Sequence, residues 1–206
     1  MIHLVNEDLI NKVKEKDRSA FNELFNLYKS KVYKTAYFIL QDKALAEDAV
    51  QEVFLQLYFK INSLNHPSAF EVWLYRITVN FCRKLIQNSN KLSTMPLEDY
   101  EDTLDICESD NLTLPEDILL NKETCSEIMG FIYALPEQQR IPIILYYYNS
   151  LSIRDISEVM NCSEGTVKSR LFHGRKLLKN KLMQTRNYSK EAQYILGKGV
   201  NIYESR

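Results

Sequence analysis

The stretch that decides the fold is SEGTVKSRLFHGRKLLKNK, from Ser163 to Lys181. It holds Lys168, Arg170, Arg175, Lys176, Lys179 and Lys181 against one acid, Glu164. The whole chain is nearly neutral, with 26 basic and 27 acidic residues. Positive charge is therefore concentrated in one segment. Ser163 suits an N-cap, because its hydroxyl can accept from backbone N–H groups that the first helical turn leaves free. At about 100° per residue, Val167, Leu171, Gly174, Leu178 and Leu182 fall on one stripe. Lys168, Ser169, Phe172, His173, Lys176 and Lys179 lie opposite, Arg170 and Arg175 lie on the flanks, and Thr166 belongs to the same candidate surface.

Just upstream, SIRDISEVM (Ser152–Met160) reads as a short amphipathic helix, followed by the tight turn NCS. Its Ile153, Ile156 and Met160 would meet the apolar stripe. A short helix, a tight turn and a longer helix with a basic outer face make a helix-turn-helix. The second helix fits a DNA major groove about 12 Å wide. Flanking cations would neutralise phosphates while the outer face reads base edges.

Further outward, LPEQQRIPIILYYY (Leu135–Tyr148) reads as a helix with Pro136 in its first turn. Helical periodicity returns near Pro115, where Glu116 and Asp117 suit the positive end of a helix. Before that the composition changes. From Leu92 to Asn121 there is no Lys or Arg, while Glu98, Asp99, Glu101, Asp102, Asp105, Glu108 and Asp110 crowd the first part. That part has little periodicity and reads as a flexible linker.

From Glu7 to about Asn88 the pattern is again helical. Leu9, Ile10 and Val13 begin it, and Phe21, Leu24, Phe25 and Tyr28 follow at i, i+3, i+4, i+7. A third helix reads from Ala44 to Ile61, with Leu45, Ala49, Val53 or Phe54, and Leu57 as its apolar set. Its polar side carries Glu47, Asp48, Gln51 and Glu52. The turn-forming residues Asn62–Ser68 make a loop, and a fourth helix spans about Ala69 to Gln87.

With five Gly, five Pro and 45% apolar residues, the expected fold is all-α: two helical domains joined by a flexible acidic linker, the C-terminal one containing the helix-turn-helix. The expected boundaries are 1–91, linker 92–114, 115–182, and a tail, 183–206, of unassigned role.

Composition also excludes function classes. Cys82, Cys107, Cys125 and Cys162 form no CxxC pair, and His3, His66 and His173 are scattered, so free thiols and no metal site are expected. There is no HExxH, no glycine-rich phosphate loop and no Ser-His-Asp order; neither an enzyme nor a cofactor is expected. The apolar N-terminal run is broken by Asn6, Glu7 and Asp8, which argues against a signal peptide. Ile141–Tyr148 is too short to cross a bilayer and contains Pro142. A cytoplasmic protein without membrane insertion is the expectation.

LPEQQRIPIILYYYNSLSIRDISEVMNCSEGTVKSRLFHGRKLL resembles the C-terminal promoter-binding region of extracytoplasmic-function (ECF) sigma factors. AEDAVQEVFLQLY resembles the family's core-polymerase-binding helix, and FEVWLYRITVN its promoter-melting helix. The resemblance covers about residues 5 to 182. It implies core RNA polymerase and promoter DNA as partners, and leaves room for an anti-sigma protein. Asp48, Gln51 and Glu52 would dock on the polymerase, with Val53 and Phe54 as an apolar anchor. Trp73, Tyr75, Arg76, Asn80 and Arg83 would lie against opened, single-stranded promoter. Asn62, Asn65 and His66, in the loop, would help hold a flipped base. The family often carries an acid where this chain has Arg83 or Lys84. The acidic linker would thread the polymerase's positive RNA channel. The competing reading is a stand-alone helix-turn-helix regulator, which would dimerise on palindromic half-sites and leaves the polymerase-binding motif unexplained.

Overall fold

The computed structural model describes residues 7–89 and 129–184; the acidic linker, Cys107, Cys125 and the segment beyond Gln184 lie outside the described residues. Within them every regular element is helical. The N-terminal unit has four α-helices: α1 (Glu7–Lys14), α2 (Arg18–Leu40), α3 (Lys43–Lys60) and α4 (Phe70–Ser89). The C-terminal unit has α5 (Glu137–Ile143), a π-helical turn (Ile144–Tyr148), α6 (Ile153–Met160) and α7 (Glu164–Gln184). Residues 129–133 are helical as well.

Local chemistry fixes the boundaries. Asp17 and Asp42 cap α2 and α3, each accepting from a backbone N–H, at 2.9 Å from Ala20 and 2.8 Å from Leu45. Each cap satisfies a donor that the first turn leaves free. Gln41 ends α2 in the left-handed region (φ 60°). Ser152 and Asp155 form a reciprocal capping box at the start of α6, and Asn161 closes that helix at φ 50°. Pro136 is the N-cap of α5, one position before its expected place. Pro142 lies inside α5 without an N–H to donate, and the chain widens just beyond it into the π turn.

The α1–α4 unit packs around Ile10, Leu24, Val32, Val53, Leu57, Ile61, Phe70 and Leu74. A second core does not stay within one unit. Ala36, Ile39, Ala49, Tyr75, Val79 and Cys82 of the N-terminal unit share it with Leu135, Ile141, Ile144, Leu145, Ile156 and Val167. α6 packs on α4, and the π turn packs on α2. The sequence led us to expect two helical domains on a linker; the structure adds that they lie directly against each other.

Candidate nucleic-acid and partner surfaces

The helix-turn-helix is built as its periodicity requires. Val167, Leu171, Leu178 and Leu182 are buried on one side of α7, and Gly174 is buried between them. Ile156, Val159 and Met160 of α6 complete the packing, with Ile153 partly covered. The Ser163 hydroxyl accepts from Thr166 N at 3.1 Å and lies 2.9 Å from Thr166 Oγ1. Gly174 lets α7 approach α5, since a Cβ there would stand 3.1 Å from Ile143 Cγ1.

The opposite face of α7 is open. Lys168, Ser169, Phe172, His173, Lys176 and Lys179 are all exposed, and Phe172 presents 61% of its surface to solvent. An apolar ring held in water among cations costs hydration free energy, and it gains a partner against a base edge or a thymine methyl.

The two flank arginines differ from the expectation of free phosphate clamps. Arg175 is half-buried: its Nε donates to the Tyr147 hydroxyl at 2.9 Å, and its guanidinium lies 5.3 and 5.6 Å from the Tyr146 and Tyr147 rings. It ties α7 to the π turn. Arg170, also half-buried, leans toward Cys162 Sγ at 3.8 Å.

On α3, Glu47, Asp48 and Gln51 are exposed, and Glu52 is half-exposed with Gln56 Nε2 donating to it at 2.8 Å. Val53 and Phe54 require a correction. Both are buried in the chain's own core, Phe54 edge-on to Phe25 at 4.7 Å, because α3 is packed by α2 and α4. They cannot anchor a partner. The apolar groups available on this helix are Leu55 and Phe59, 53% and 70% exposed, with Tyr58 beside them. Leu55 and Tyr58 border a groove of about 550 Å³ between α2 and α3, lined also by Phe21, Phe25, Gln51 and the edge of Phe54. Sequence reading passed over Leu55, Tyr58 and Phe59, although their spacing from Gln51 places them one and two turns along the same side.

The loop after α3 holds two short 3₁₀ turns, Ile61–Ser63 and Pro67–Ala69. Lys14 Nζ donates to Leu64 O at 2.6 Å and fixes it against α1. Asn62, Asn65 and His66 are exposed on it. Along α4, Arg76 and Asn80 are exposed and Trp73 is half-buried, packed on the first core. Tyr75 requires a second correction: it is buried beside Asn149, and burial pushes its hydroxyl above the usual tyrosine range. It offers no stacking surface in this arrangement. Arg83 Nε pairs with Glu137 Oε1 of α5 at 3.1 Å.

Comparison with known proteins agrees with this geometry. Residues 24–91 match the family model "Sigma-70 region 2", and residues 126–178 match "Sigma-70, region 4". The chain is 33% identical over 183 residues to the ECF RNA polymerase sigma factor SigW of Bacillus subtilis, covering 84% of this chain and 94% of that protein. It is 31% identical over 185 residues to the ECF RNA polymerase sigma-E factor of Escherichia coli K12, covering 87% and 95%. Among solved structures, the sigma factor RpoE of Bartonella quintana, in complex with the anti-sigma factor NepR, superposes with TM-score 0.61 at 21% identity. The match covers 79% of this chain and 96% of that one. CnrH, in complex with the cytosolic domain of CnrY, superposes with TM-score 0.62 at 17% identity, covering 88% and 99%. These two likenesses establish a shared fold.

Proposed function

Because the chain belongs to the ECF sigma factors of the sigma-70 family, and so binds core RNA polymerase and directs it to promoters, we propose how its surfaces divide that work. The observation that carries the reading is the division of α7: a buried apolar stripe, and an open face with cations, a serine, an aromatic ring and an imidazole. Lys168, Ser169, Phe172, His173 and Lys176 read the upstream promoter element in the major groove. Lys179 contacts backbone phosphate, and Thr166 and Arg170 sit where the backbone passes. Arg175 holds the helix on the π turn.

Asp48 and Gln51 form the polar part of the polymerase-docking face, with Glu52 at its edge. Leu55, Tyr58 and Phe59 supply the apolar anchor that Val53 and Phe54 cannot. Asn62, Asn65 and His66 in the loop, with Trp73, Arg76, Asn80 and Arg83 of α4, serve the melted strand. The stacking and hydrogen-bonding chemistry of these side chains suits unpaired bases. The protein acts as an initiation factor rather than an enzyme, in the cytoplasm with core polymerase, and an anti-sigma protein is a fitting regulator. Among the described residues no helix is long and apolar enough to cross a membrane. A stand-alone regulator has no use for the region 2 match.

The docking assignment is tested by charge reversal. Asp48→Arg with Glu52→Arg should abolish association with core polymerase while helicity is retained. Wild-type association would remove this face from the interface.

A further inference from the structure

The helix α1 lies ahead of residues 24–91, which match sigma-70 region 2, and it takes no part in the docking or DNA-reading surfaces. It packs under the loop that joins α3 to α4. Leu9, Ile10 and Val13 are buried in the same core as Ile61, Leu64 and Phe70, and α1 touches both 3₁₀ turns of the loop. Along that loop the residues divide into two sets. Ile61 and Leu64 are buried, whereas Asn62, Ser63, Asn65 and His66 are exposed.

Each 3₁₀ turn is closed by its own hydrogen bonds. Leu64 N donates to Ile61 O at 3.0 Å, Ala69 N donates to His66 O at 3.0 Å, and the Ser63 hydroxyl donates to Lys60 O at 2.7 Å. Between the two turns, residues 64–66 form no helical turn. There the Leu64 carbonyl is held from outside the loop: Lys14 Nζ donates to it at 2.6 Å. The donor is charged and half-buried, which makes the bond stronger than a neutral one. The carbonyl belongs to the planar peptide that also carries the Asn65 N–H. Holding it therefore sets the direction in which Asn65 leaves the core, and with it the spacing of Asn62, Asn65 and His66. Lys16, just past α1, donates to Tyr58 O near the end of α3, so this segment braces the entry of the loop as well as its middle. Lys12 has no such contact; it is exposed and pairs with Asp8 at 2.7 Å.

We propose that Lys14 is a positioning residue for base capture: its ammonium holds the Leu64–Asn65 peptide so that Asn62, Asn65 and His66 meet an unpaired base in a preset arrangement. The proposal rests on the assignment of that loop to a flipped base. A loop fixed beforehand does not have to be ordered when the base arrives. Without the ammonium the loop holds its competent form for only part of the time, and apparent affinity for the base falls by that fraction. Lys14 acts through the loop and not on DNA, so the loss is confined to the captured base and spares the rest of the strand.

The test uses the full chain assembled with core polymerase. The probes are single-stranded oligonucleotides carrying the non-template sequence of a promoter recovered by run-off mapping, one intact and the others with a single abasic site walked along the strand. Wild type should show one position at which the abasic site costs about tenfold in affinity, within the range for losing one stacked base. In Lys14→Met that cost should fall to about twofold, as for a loop mostly released from its competent form, because binding of the intact strand weakens toward that of the abasic one. Lys14→Arg, which keeps a charged donor, should restore the wild-type ratio. Lys12→Met, which removes a cation from the same helix, should leave it unchanged. Circular dichroism checks helicity, and Lys14→Gln serves as a second neutral variant should Lys14→Met unfold. An undiminished ratio in a helical neutral variant overturns the proposal. So does an equal loss on intact and abasic strands, which would make Lys14 a plain phosphate contact, and so does a failure of Lys14→Arg to restore the ratio. The underlying reading fails separately: a wild type without any sensitive position removes the loop from base capture, and absence of run-off transcription removes the sigma reading itself.

Discussion

Gly174 faces Ile143 so closely that a Cβ on the glycine would stand 3.1 Å from Ile143 Cγ1, with Gln139 Cβ at 3.4 Å. The seat of the recognition helix is set by this contact between α7 and α5. Gly174→Leu should lower unfolding free energy by about 1–3 kcal/mol through overpacking. Gly174→Ala gains about 1 kcal/mol of helix propensity, which the tight contact offsets. Urea midpoints should therefore fall clearly for leucine and little for alanine. Equal midpoints for leucine and wild type would mean that α7 does not seat on α5.

Arg175 and Lys168 should separate a structural cation from a DNA-binding one. Arg175→Ala loses the bond to Tyr147, about 1 kcal/mol, and the ring contact, about 0.5–1 kcal/mol. Its loss should appear in thermal stability. Lys168→Ala should leave stability within about 0.5 kcal/mol and cost about 1–3 kcal/mol of binding on the preferred upstream element. A lowered salt slope of DNA binding in Arg175→Ala would restore Arg175 as a phosphate contact.

Phe54 and Phe59 are separated by little sequence and opposite surroundings. Phe54→Ala should cost about 3–5 kcal/mol of stability, as for a buried aromatic. Phe59→Ala, at a 70% exposed position, should leave the melting temperature unchanged and weaken association with core polymerase. Undiminished association in Phe59→Ala would exclude the apolar anchor proposed on α3.

Cys82 should be silent to thiol reagents. Burial pushes its thiol up to about 12 from the ordinary 9.0, and the thiolate is the reactive form. Peptide-level alkylation at neutral pH should label the half-exposed Cys162 and reach Cys82 only on unfolding. The folded state holds the Cys82 proton more tightly than the unfolded chain does. This contribution is therefore complete below pH 9.0 and is lost as pH rises toward 12. A Cys82→Ala chain should show less of this alkaline loss; an identical profile would place the loss elsewhere.

Much of this architecture was legible in the sequence, for physical reasons. Val167, Leu171, Gly174, Leu178 and Leu182 obey the helical period, and all are buried, because a long helix packed on one side obeys its own periodicity. Side-chain caps are local, so Ser163 could be read as the cap of α7 directly. α3 was harder. It is covered on more than one side, so Val53 and Phe54 are both buried, and Ala46 is buried where Leu45 was expected. The C-terminal half of α2 is buried at every position from Lys34 to Ile39, because the π turn and α5 close over it. Such tertiary covering has no periodic signature. The burial of Tyr75 and the pairing of Arg83 with Glu137 depend on how the two units meet, and no local pattern encodes that.

The measurement that tests the account most directly is run-off transcription with purified core polymerase on a library of randomised upstream elements, with start sites mapped. Wild-type protein should select a narrow set sharing one upstream element. His173→Ala should change the preferred base at one position of that element, costing about 1–3 kcal/mol on the wild-type preference, while Lys179→Ala should weaken all templates alike. No transcription above core polymerase alone, or the same selected set from wild type and His173→Ala, would contradict the account.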